Sequence, residues 1–393
     1  MQRNVQSRAP RRVALIVETS LASGRNILRG IARYVREHGP WAIYHQPRGL
    51  EEDVPQWIAH WNGDGIIARV QTPSIAQAVL ATGLPTVDVL GMVPQAGLPL
   101  VHPDDKAVAE MAARHLLERG FRRFGYCGIG GAAWAETRRQ AFAATVRRAG
   151  FDCAECLLPA ESARGIDWES QQEQLAHWVA GLPRPLGIMV CNDPRGELLL
   201  EACRRVGVAV PEEAAVVGVD NDEPLCEICD PPLSSVEPDH FGVGYRGAQL
   251  LDQLMSGKPA PDGPIFVPPL GVVTRLSSDV LAVDDPMLVR SLSFIRRHAC
   301  DGISVDDVLA QVPLSRSTLQ RRFRRHLGRT IHDEICRVRL RRVCELLDST
   351  DLPIDEVAHR AGFVHRQYLG EVFKAQLGMT PAEYRRRVRD SGT

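Results

Sequence analysis

A fifty-residue echo constrains the carboxy-terminal third of this chain more than any other feature. Leu319, Phe323, Leu327, Gly328 and Thr330 return as Leu369, Phe373, Leu377, Gly378 and Thr380. Spacing of i, i+4 and i+8 puts Leu, Phe and Leu on one helix face. The glycine directly after the last Leu is a usual helix stop. Each copy follows a short helical stretch and a tight turn: Val305–Ala310 before the first, Ile354–Arg360 with Gly362 before the second. A short helix, a turn and a second helix with an apolar face make a helix-turn-helix unit. Between the two units, Ile331–Leu347 has 17 residues, which span about 25 Å as a helix. Such a strut suits two recognition helices placed in successive major grooves, one turn or ~34 Å apart. Helices are expected near 286–299, 304–311, 315–326, 331–347, 354–360, 365–376 and 381–388.

Upstream the rhythm changes. Apolar strands are expected at 12–18, 41–46, 64–69, 85–90, 124–129, 152–158, 186–191, 214–219 and near 264–275. Helices are expected at 24–37, 104–119, 135–149, 167–180, 195–206 and 239–256, the last stopped by Gly257 with Pro259 beyond it. Strands separated by helices of this length imply parallel sheets covered on both faces. The region is too large for one such sheet, so two lobes are expected. The reading is a basic tail at 1–11, a two-lobed α/β ligand-binding core at 12–276, a linker at 277–285 and an all-α double helix-turn-helix domain at 286–393.

Charge divides at the same place. From Met287 to Thr393 there are 20 Lys and Arg against 13 Asp and Glu, a balance of +7. The whole chain carries −1, which leaves −8 for the remainder. Only the helical end suits a polyanion. Hydrophobic residues at 44% and charged residues at 24% are ordinary for a globular protein. No apolar run approaches the ~20 residues of a spanning helix, and Val13–Val17 is too short for a signal-peptide core. A cytoplasmic location with no membrane partner is expected. Ten scattered cysteines do not read as a disulfide framework.

In doubly wound folds, ligands sit beyond the carboxyl ends of the strands. A hydroxylated ligand wants forked polar groups and an aromatic face. The candidates at such places are Trp134 and Arg138 after strand 124–129, Asp193 after strand 186–191, and Asp220 with Asn221 after strand 214–219; Arg195, Arg25 and Arg69 are weaker ones. Other chemistries fare worse. Cys153-x-x-Cys156 and Cys226-x-x-Cys229 lie 70 residues apart, and the first pair falls on a strand, where alternate side chains diverge, so a Cys₄ zinc site is set aside. Gly128–Gly131 follows a strand but is not G-x-G-x-x-G, and no GK[ST] exists. No nucleophile–base pair has catalytic spacing. No catalytic residue, metal or cofactor is expected, and a sugar-acting α/β enzyme remains the alternative class.

The stretch Leu352–Arg385 resembles the signature of the AraC/XylS family of transcription regulators, through Ile354, Val357, Ala358, Gly362, Phe363, Phe373, Lys374, Gly378, Thr380, Pro381, Tyr384 and Arg385. Leu369 replaces the usual Phe, and Val364-His365 the usual small polar N-cap. The resemblance implies double-stranded operator DNA as partner. It places the base-reading positions on Arg316, Ser317, Gln320 and Arg321 in the first recognition helix. In the second they fall on His365, Arg366, Gln367 and Glu371. Arg322, Arg324 and Arg325 are expected at phosphates.

The α/β end resembles the sugar-binding cores of LacI-type regulators, themselves similar to periplasmic binding proteins. The resemblance rests on Arg138 with Phe142, Asn192-Asp193, and Gly218-Val219-Asp220, which in that family line the effector cleft. Their usual amino-terminal helix-turn-helix is not expected here, because the residues before the first strand read only as a short basic tail. A core of that type joined to an AraC-type end is similar to the xylose-operon regulators, over WAETRRQAF, VVGVDNDE, LSSVEP, SFIRRHACDGISVDDVL and LSRSTLQRRF. Arg69 stands where those regulators carry an acidic residue at the third strand's end. The resemblance implies a sugar-responsive activator of a pentose or sugar catabolic operon, with xylose the leading effector. It also implies a homodimer, with RNA polymerase as partner if the chain activates. A repressor or dual regulator sensing another sugar stays open, because the sign depends on where the operator lies.

Overall fold

The computed structural model describes residues 10–391, except 50, 51, 53, 94, 95, 160–167 and 281. Most of the basic tail and the start expected for helix 167–180 lie outside the described residues. The chain divides into two compact units, Met1–Val280 and Leu281–Thr393.

The first unit opens with β1 (Arg11–Ile16), α1 (Ala22–His38), β2 (Trp41–His45), β3 (Gly65–Ala68), α2 (Pro73–Ala81), β4 (Thr86–Asp88) and β5 (Val101–Pro103). It continues with α3 (Asp105–Glu118), β6 (Phe124–Ile129), α4 (Ala133–Arg148), β7 (Cys153–Leu158), α5 (Trp168–Ala180), β8 (Leu186–Val190), α6 (Asp193–Arg205), β9 (Ala214–Val219), α7 (Glu223–Ile228) and β10 (Ser234–Glu237). It closes with α8 (His240–Met255), β11 (Ile265–Val267) and β12 (Gly271–Val273).

One sheet has order β2-β1-β3-β4 and the other β12-β10-β9-β8-β6-β7, all parallel except the β10–β12 edge pair. β5 and β11 pair in a small sheet of their own. Each large sheet has its own apolar core: Val13, Leu15, Ile67 and Val87 in the first, Ile188, Val190, Val216 and Leu199 in the second. The two lobes are therefore separate hydrophobic assemblies. The chain passes between them after β5, before α8 and after β11, because α8 returns to pack on α1 and β3.

The single strand expected near 264–275 is two short ones in different sheets. Pro268 and Pro269 lie between them, and neither can donate to a ladder. β10 was not expected because its sequence is SSVE. Ser234 and Ser235 are fully buried, with hydroxyls bonded to Arg275 O and Asp193 at 2.8 and 2.7 Å. Side-chain partners replace the apolar signature there.

Two glycines let α1 and α8 touch. A Cβ on Gly30 would overlap the carbonyl of Phe241, and one on Gly244 the carbonyl of Ile27. Backbone cannot yield as a side chain can. Gly244→Ala is expected to cost about 1–3 kcal/mol, read as a lower thermal midpoint of the α/β unit; an unchanged midpoint would mean the helices separate freely.

The second unit comprises α9 (Pro286–His298), α10 (Val305–Leu309), α11 (Arg316–Leu327), α12 (Ile331–Ser349), α13 (Ile354–Arg360), α14 (Arg366–Leu377) and α15 (Pro381–Ser391). It has two cores sharing one strut. Leu319 and Phe323 of α11 pack with Ile331 and Ile335 at the start of α12. Leu369 and Phe373 of α14 pack with Val343 and Leu347 near its end. Each buried Leu or Phe contributes roughly 1.5–3 kcal/mol. The repeat's third apolar member behaves differently: Leu377 is 40% exposed and Leu327 only partly buried. Both sit beside glycines in the left-handed conformation, Gly328 at φ 70° and Gly378 at φ 74°, where the helix ends and its face turns away.

Candidate functional site

The carboxyl ends of both large sheets bring charged side chains together. After β1 comes Glu18 and after β3 comes Arg69, on neighbouring strands in register from Val13↔Gly65 to Ile16↔Ala68. They form a buried ion pair, and Arg69 also donates to Ser23 Oγ at 3.2 Å. Asp220, after β9 of the other lobe, acts electrostatically on both Arg69 and Arg138. Its carboxylate lies 3.4 Å from His240 Nε2. The Asp220 side chain is 27% exposed, against 8% for Arg69 and 5% for Arg138. It is thus the reachable carboxylate among buried guanidinium groups of both lobes. Burial opposes its ionisation, but His240, Arg138 and Arg69 outweigh burial and hold its carboxyl below the usual range.

The backbone there is strained. Asp220 has φ 106° and Asn221 φ 49°, a region that costs non-glycine residues energy and persists where surroundings impose it. Asn221 is pinned by its N–H donating to Ser235 Oγ at 3.0 Å and by its Oδ1 accepting from Arg275 at 2.9 Å.

Arg138, in α4, donates through Nε to Asp105 at 2.7 Å and through a terminal nitrogen to Cys191 O at 2.6 Å. Its guanidinium stands 4.8 Å from the Trp134 ring centroid, a cation–π contact that stiffens both. Trp134 is half-buried. The structure therefore brings Arg138, Trp134 and Asp220 into one place, as expected from their positions after strands.

Asp193 is different from the expectation of a ligand-touching group. It has no exposed surface, and its two oxygens accept from Ser235 Oγ at 2.7 Å and Asp222 N at 2.8 Å. It holds the 220–222 turn from beneath. Asn192 caps α6 through Arg195 N at 3.1 Å. Of the weaker candidates, Arg195 is 1% exposed, and its two terminal nitrogens donate to Gln171 Oε1 and Pro159 O at 2.6 and 3.1 Å. Arg25 is bonded to the carbonyls of Thr19 and Ser20.

Burial, reinforced by Asp220, pushes the Asp193 carboxyl up to about 7. Unfolded, it would release its proton near 3.8. Between those values the unfolded state binds fewer protons, so this group lowers stability as pH rises from about 4 to about 7, by up to about 4 kcal/mol. Asp193→Asn keeps an acceptor for Asp222 N and turns its amide N–H to Ser235 Oγ, whose hydroxyl can donate instead to Val236 O at 3.3 Å. Its thermal midpoint relative to wild type should therefore rise between pH 5 and pH 8. A difference that stays constant across this range would mean Asp193 ionises normally.

In the helical unit, Arg316, Ser317 and Arg321 on α11 and His365, Arg366, Gln367 and Glu371 at and on α14 are exposed, with Gln320 half-buried. Both α11 and α14 begin with an arginine paired to an acid of the preceding helix: Arg316 with Asp306, and Arg366 with Asp355 at 3.2 Å. Arg324 and Arg325 are also exposed. Arg322, read with them as a phosphate contact, donates to both oxygens of Asp285 at 2.8 Å and ties α11 to the start of α9. Ser315 caps α11, while His365 makes no side-chain cap on α14.

Sequence reasoning missed Glu18, Asp105 and His240. An acidic residue closing the first apolar stretch was the available signal for Glu18. Asp105 and His240 carried none, since each follows a capping Asp at a helix start. Among the described residues no group of three or more His, Cys, Asp or Glu is placed to hold a metal ion. No helix among the described residues is long and apolar enough to cross a membrane.

Residues 12–102 match the XylR N-terminal domain family, 113–278 the periplasmic binding protein-like domain family and 308–387 a helix-turn-helix domain family. The chain is 32% identical over 382 residues to the xylose operon regulatory protein of Haemophilus influenzae, covering 95% of this chain and 98% of that protein. It is 34% identical over 395 residues to the protein of the same name from Escherichia coli K12, covering 95% and 96%. A solved structure of the xylose-binding transcription activator xylR shares 32% identity at a TM-score of 0.81, over 96% of this chain and 98% of that one. A CelR–cellobiose complex, at 21% identity and a TM-score of 0.54 over 68% of this chain and 84% of that one, shares the fold of the core.

Proposed function

This chain belongs to the family of xylose operon regulatory proteins, sugar-responsive transcription regulators with a periplasmic-binding-protein-like core and a helix-turn-helix end, and from that premise we propose how its own residues do the work. An aldopentose, D-xylose first, binds between the two lobes. Asp220 accepts from its hydroxyls, Arg138 donates to its oxygens and Trp134 offers a ring face. Asp193 and Asn221 position the Asp220 turn. The observation that carries this reading is the convergence of Arg69 from one lobe and Arg138 from the other on Asp220. Closure of the lobes is favoured by the ligand's difference in affinity for the closed and open states.

The protein acts as a cytoplasmic homodimer through its α/β core, and closure sets the spacing of two double helix-turn-helix domains on the operator. Activation then proceeds through RNA polymerase. The test is calorimetric titration and thermal shift of the full chain with D-xylose, other aldopentoses, hexoses, polyols and sugar phosphates. A ligand at 100 times its Kd adds about 2.7 kcal/mol to the core. No response to any sugar would remove the effector reading and leave the DNA-binding end standing.

On DNA, arginine prefers guanine O6 and N7, and glutamine adenine N6 and N7. Arg321→Ala or Arg366→Ala is expected to cost about 1–3 kcal/mol on the cognate operator and to relax base choice at one position. Equal loss on every sequence would assign these arginines to phosphates instead.

A further inference from the structure

The outermost strand of the larger sheet carries a thiol pair that sugar sensing and DNA binding leave unused. β6 and β7 run parallel, and Cys127 and Cys156 are direct register partners. Both side chains face the core that holds Leu158 and Leu175, Cys127 within it and Cys156 packed against it. Neighbouring strands lie about 4.7–4.9 Å apart, inside the Cα separation of roughly 4.4–6.8 Å that a disulfide spans. The two thiols are already hydrogen-bonded to each other. Cys127 has no exposed surface, whereas Cys156 is half-buried on the sheet's edge. Cys153, an odd number of positions earlier on β7, points to the opposite face and cannot take this place.

A buried cation stands beside the pair. Arg195, near the start of α6, is 1% exposed, and its bonded partners Gln171 Oε1 and Pro159 O are both neutral. Its Nε finds no hydrogen-bond partner, and among the described residues no carboxylate pairs with its guanidinium. A buried charge without a counter-ion is costly, and an unbonded buried group calls for an explanation. The field of Arg195 reaches both Cys127 and Cys156. A thiolate at Cys156 supplies the missing anion.

The thiols respond accordingly. The hydrogen bond from Cys127 and then the charge of Arg195 hold the Cys156 thiol below its ordinary value, against burial. Cys127 is held protonated by that same bond and by burial. In the eight other cysteines burial is the leading influence and pushes the thiol up. An electropositive, partly exposed setting is what distinguishes a reactive cysteine from an inert buried one.

We propose that Cys156 is a peroxide-reactive cysteine and Cys127 its resolving partner, so that a hydroperoxide joins β6 to β7 through a Cys127–Cys156 disulfide. The Cys156 thiolate attacks one peroxide oxygen; an S–O bond forms, the O–O bond breaks, and the other oxygen leaves as an alcohol or, from hydrogen peroxide, as water. The Cys127 sulfur then attacks the sulfenic sulfur. An S–S bond forms, the S–O bond breaks, and hydroxide leaves with the Cys127 proton as water. The two thiols give up two electrons and the peroxide takes them. The proposal is independent of the identity of the effector.

The test uses the reduced full chain treated with hydrogen peroxide and then digested without reductant for peptide mass spectrometry; operator binding reports that each variant has folded. A Cys127–Cys156 cross-link should form in wild type and in Cys153→Ser, and be absent from Cys156→Ser. In Cys127→Ser, dimedone should trap a sulfenic acid at Cys156. Before oxidation, iodoacetamide should alkylate Cys156 with a pH midpoint below about 8.5, the value of a free cysteine. Arg195→Gln should raise that midpoint, and Arg195→Lys, which keeps the charge, should keep it low. No cross-link, a cross-link between another pair, or an alkylation midpoint above that of a free cysteine would overturn the proposal and leave Cys127 and Cys156 as packing residues.

Discussion

Asp220→Asn should abolish most of the stabilisation that sugar confers while leaving operator binding by the sugar-free protein unchanged. The replaced carboxylate is the counter-charge shared by Arg69 and Arg138 and the reachable anion of the cleft. A hydrogen bond to a charged group is worth about 1.5–3 kcal/mol, so sugar affinity should fall roughly 10- to 150-fold. Stability of the core should fall too, by about 3 kcal/mol or less. Breaking a buried charge pair costs about 3–5 kcal/mol when the partner is stranded, but Arg69 keeps Glu18 and Arg138 keeps Asp105. Thermal midpoints with and without sugar measure both effects in one series. The wild-type contribution has a pH sign. Asp220 ionises below the usual carboxylate range when folded, so its stabilisation is present above about pH 4 and is lost as pH falls through the folded value. A variant that keeps the full sugar shift would show that Asp220 only holds the turn.

The second large effect is electrostatic. Log affinity for operator DNA should fall linearly with log salt, and a protein neutralising 6–10 phosphates loses about 10³–10⁵ in affinity between 50 and 200 mM salt. The balance of +7 in residues 287–393 sits in a chain that is otherwise −8. Arg324 and Arg325 are exposed on α11 beside Gln320 and Arg321, the positions proposed to read bases. Arg322 is engaged by Asp285, so Arg322→Ala should leave the salt slope unchanged and lower thermal stability instead. Arg324→Ala should reduce the slope by about 1. Fluorescence anisotropy with labelled operator at several salt concentrations checks this. A flat salt response would place the basic surface away from the phosphates.

Much of this was legible in local pattern. Periodicity of 3.6 with a stop glycine is a property of a few adjacent residues, and it located both helix-turn-helix units and the strut between them. Leu319, Phe323, Leu369 and Phe373 are all fully buried. Alternation of strand and helix likewise located the α/β core. The rule that ligands sit past strand ends pointed to Arg138 and Asp220. What escaped local reading was polar pairing. β10 is buried because Asp193, Ser277 and Arg275 satisfy its serines, and those partners are distant in sequence. Arg322 looks like its neighbours until Asp285 is seen beside it.

Glu18 and Arg69 show the division most clearly. Each follows an apolar strand in the sequence, 51 positions apart, and hydropathy alone places both at sheet ends. That β1 and β3 are neighbours in register, that Gly24 closes a helix over the carboxylate, and that Asp220 faces the pair from another lobe are matters of topology. The apolar pattern of a chain specifies which segments must be buried, because burial depends on composition and period. Which charges then meet depends on strand order and on the crossings between lobes, so the direction of a pKa and the choice of a ligand belong to the folded molecule.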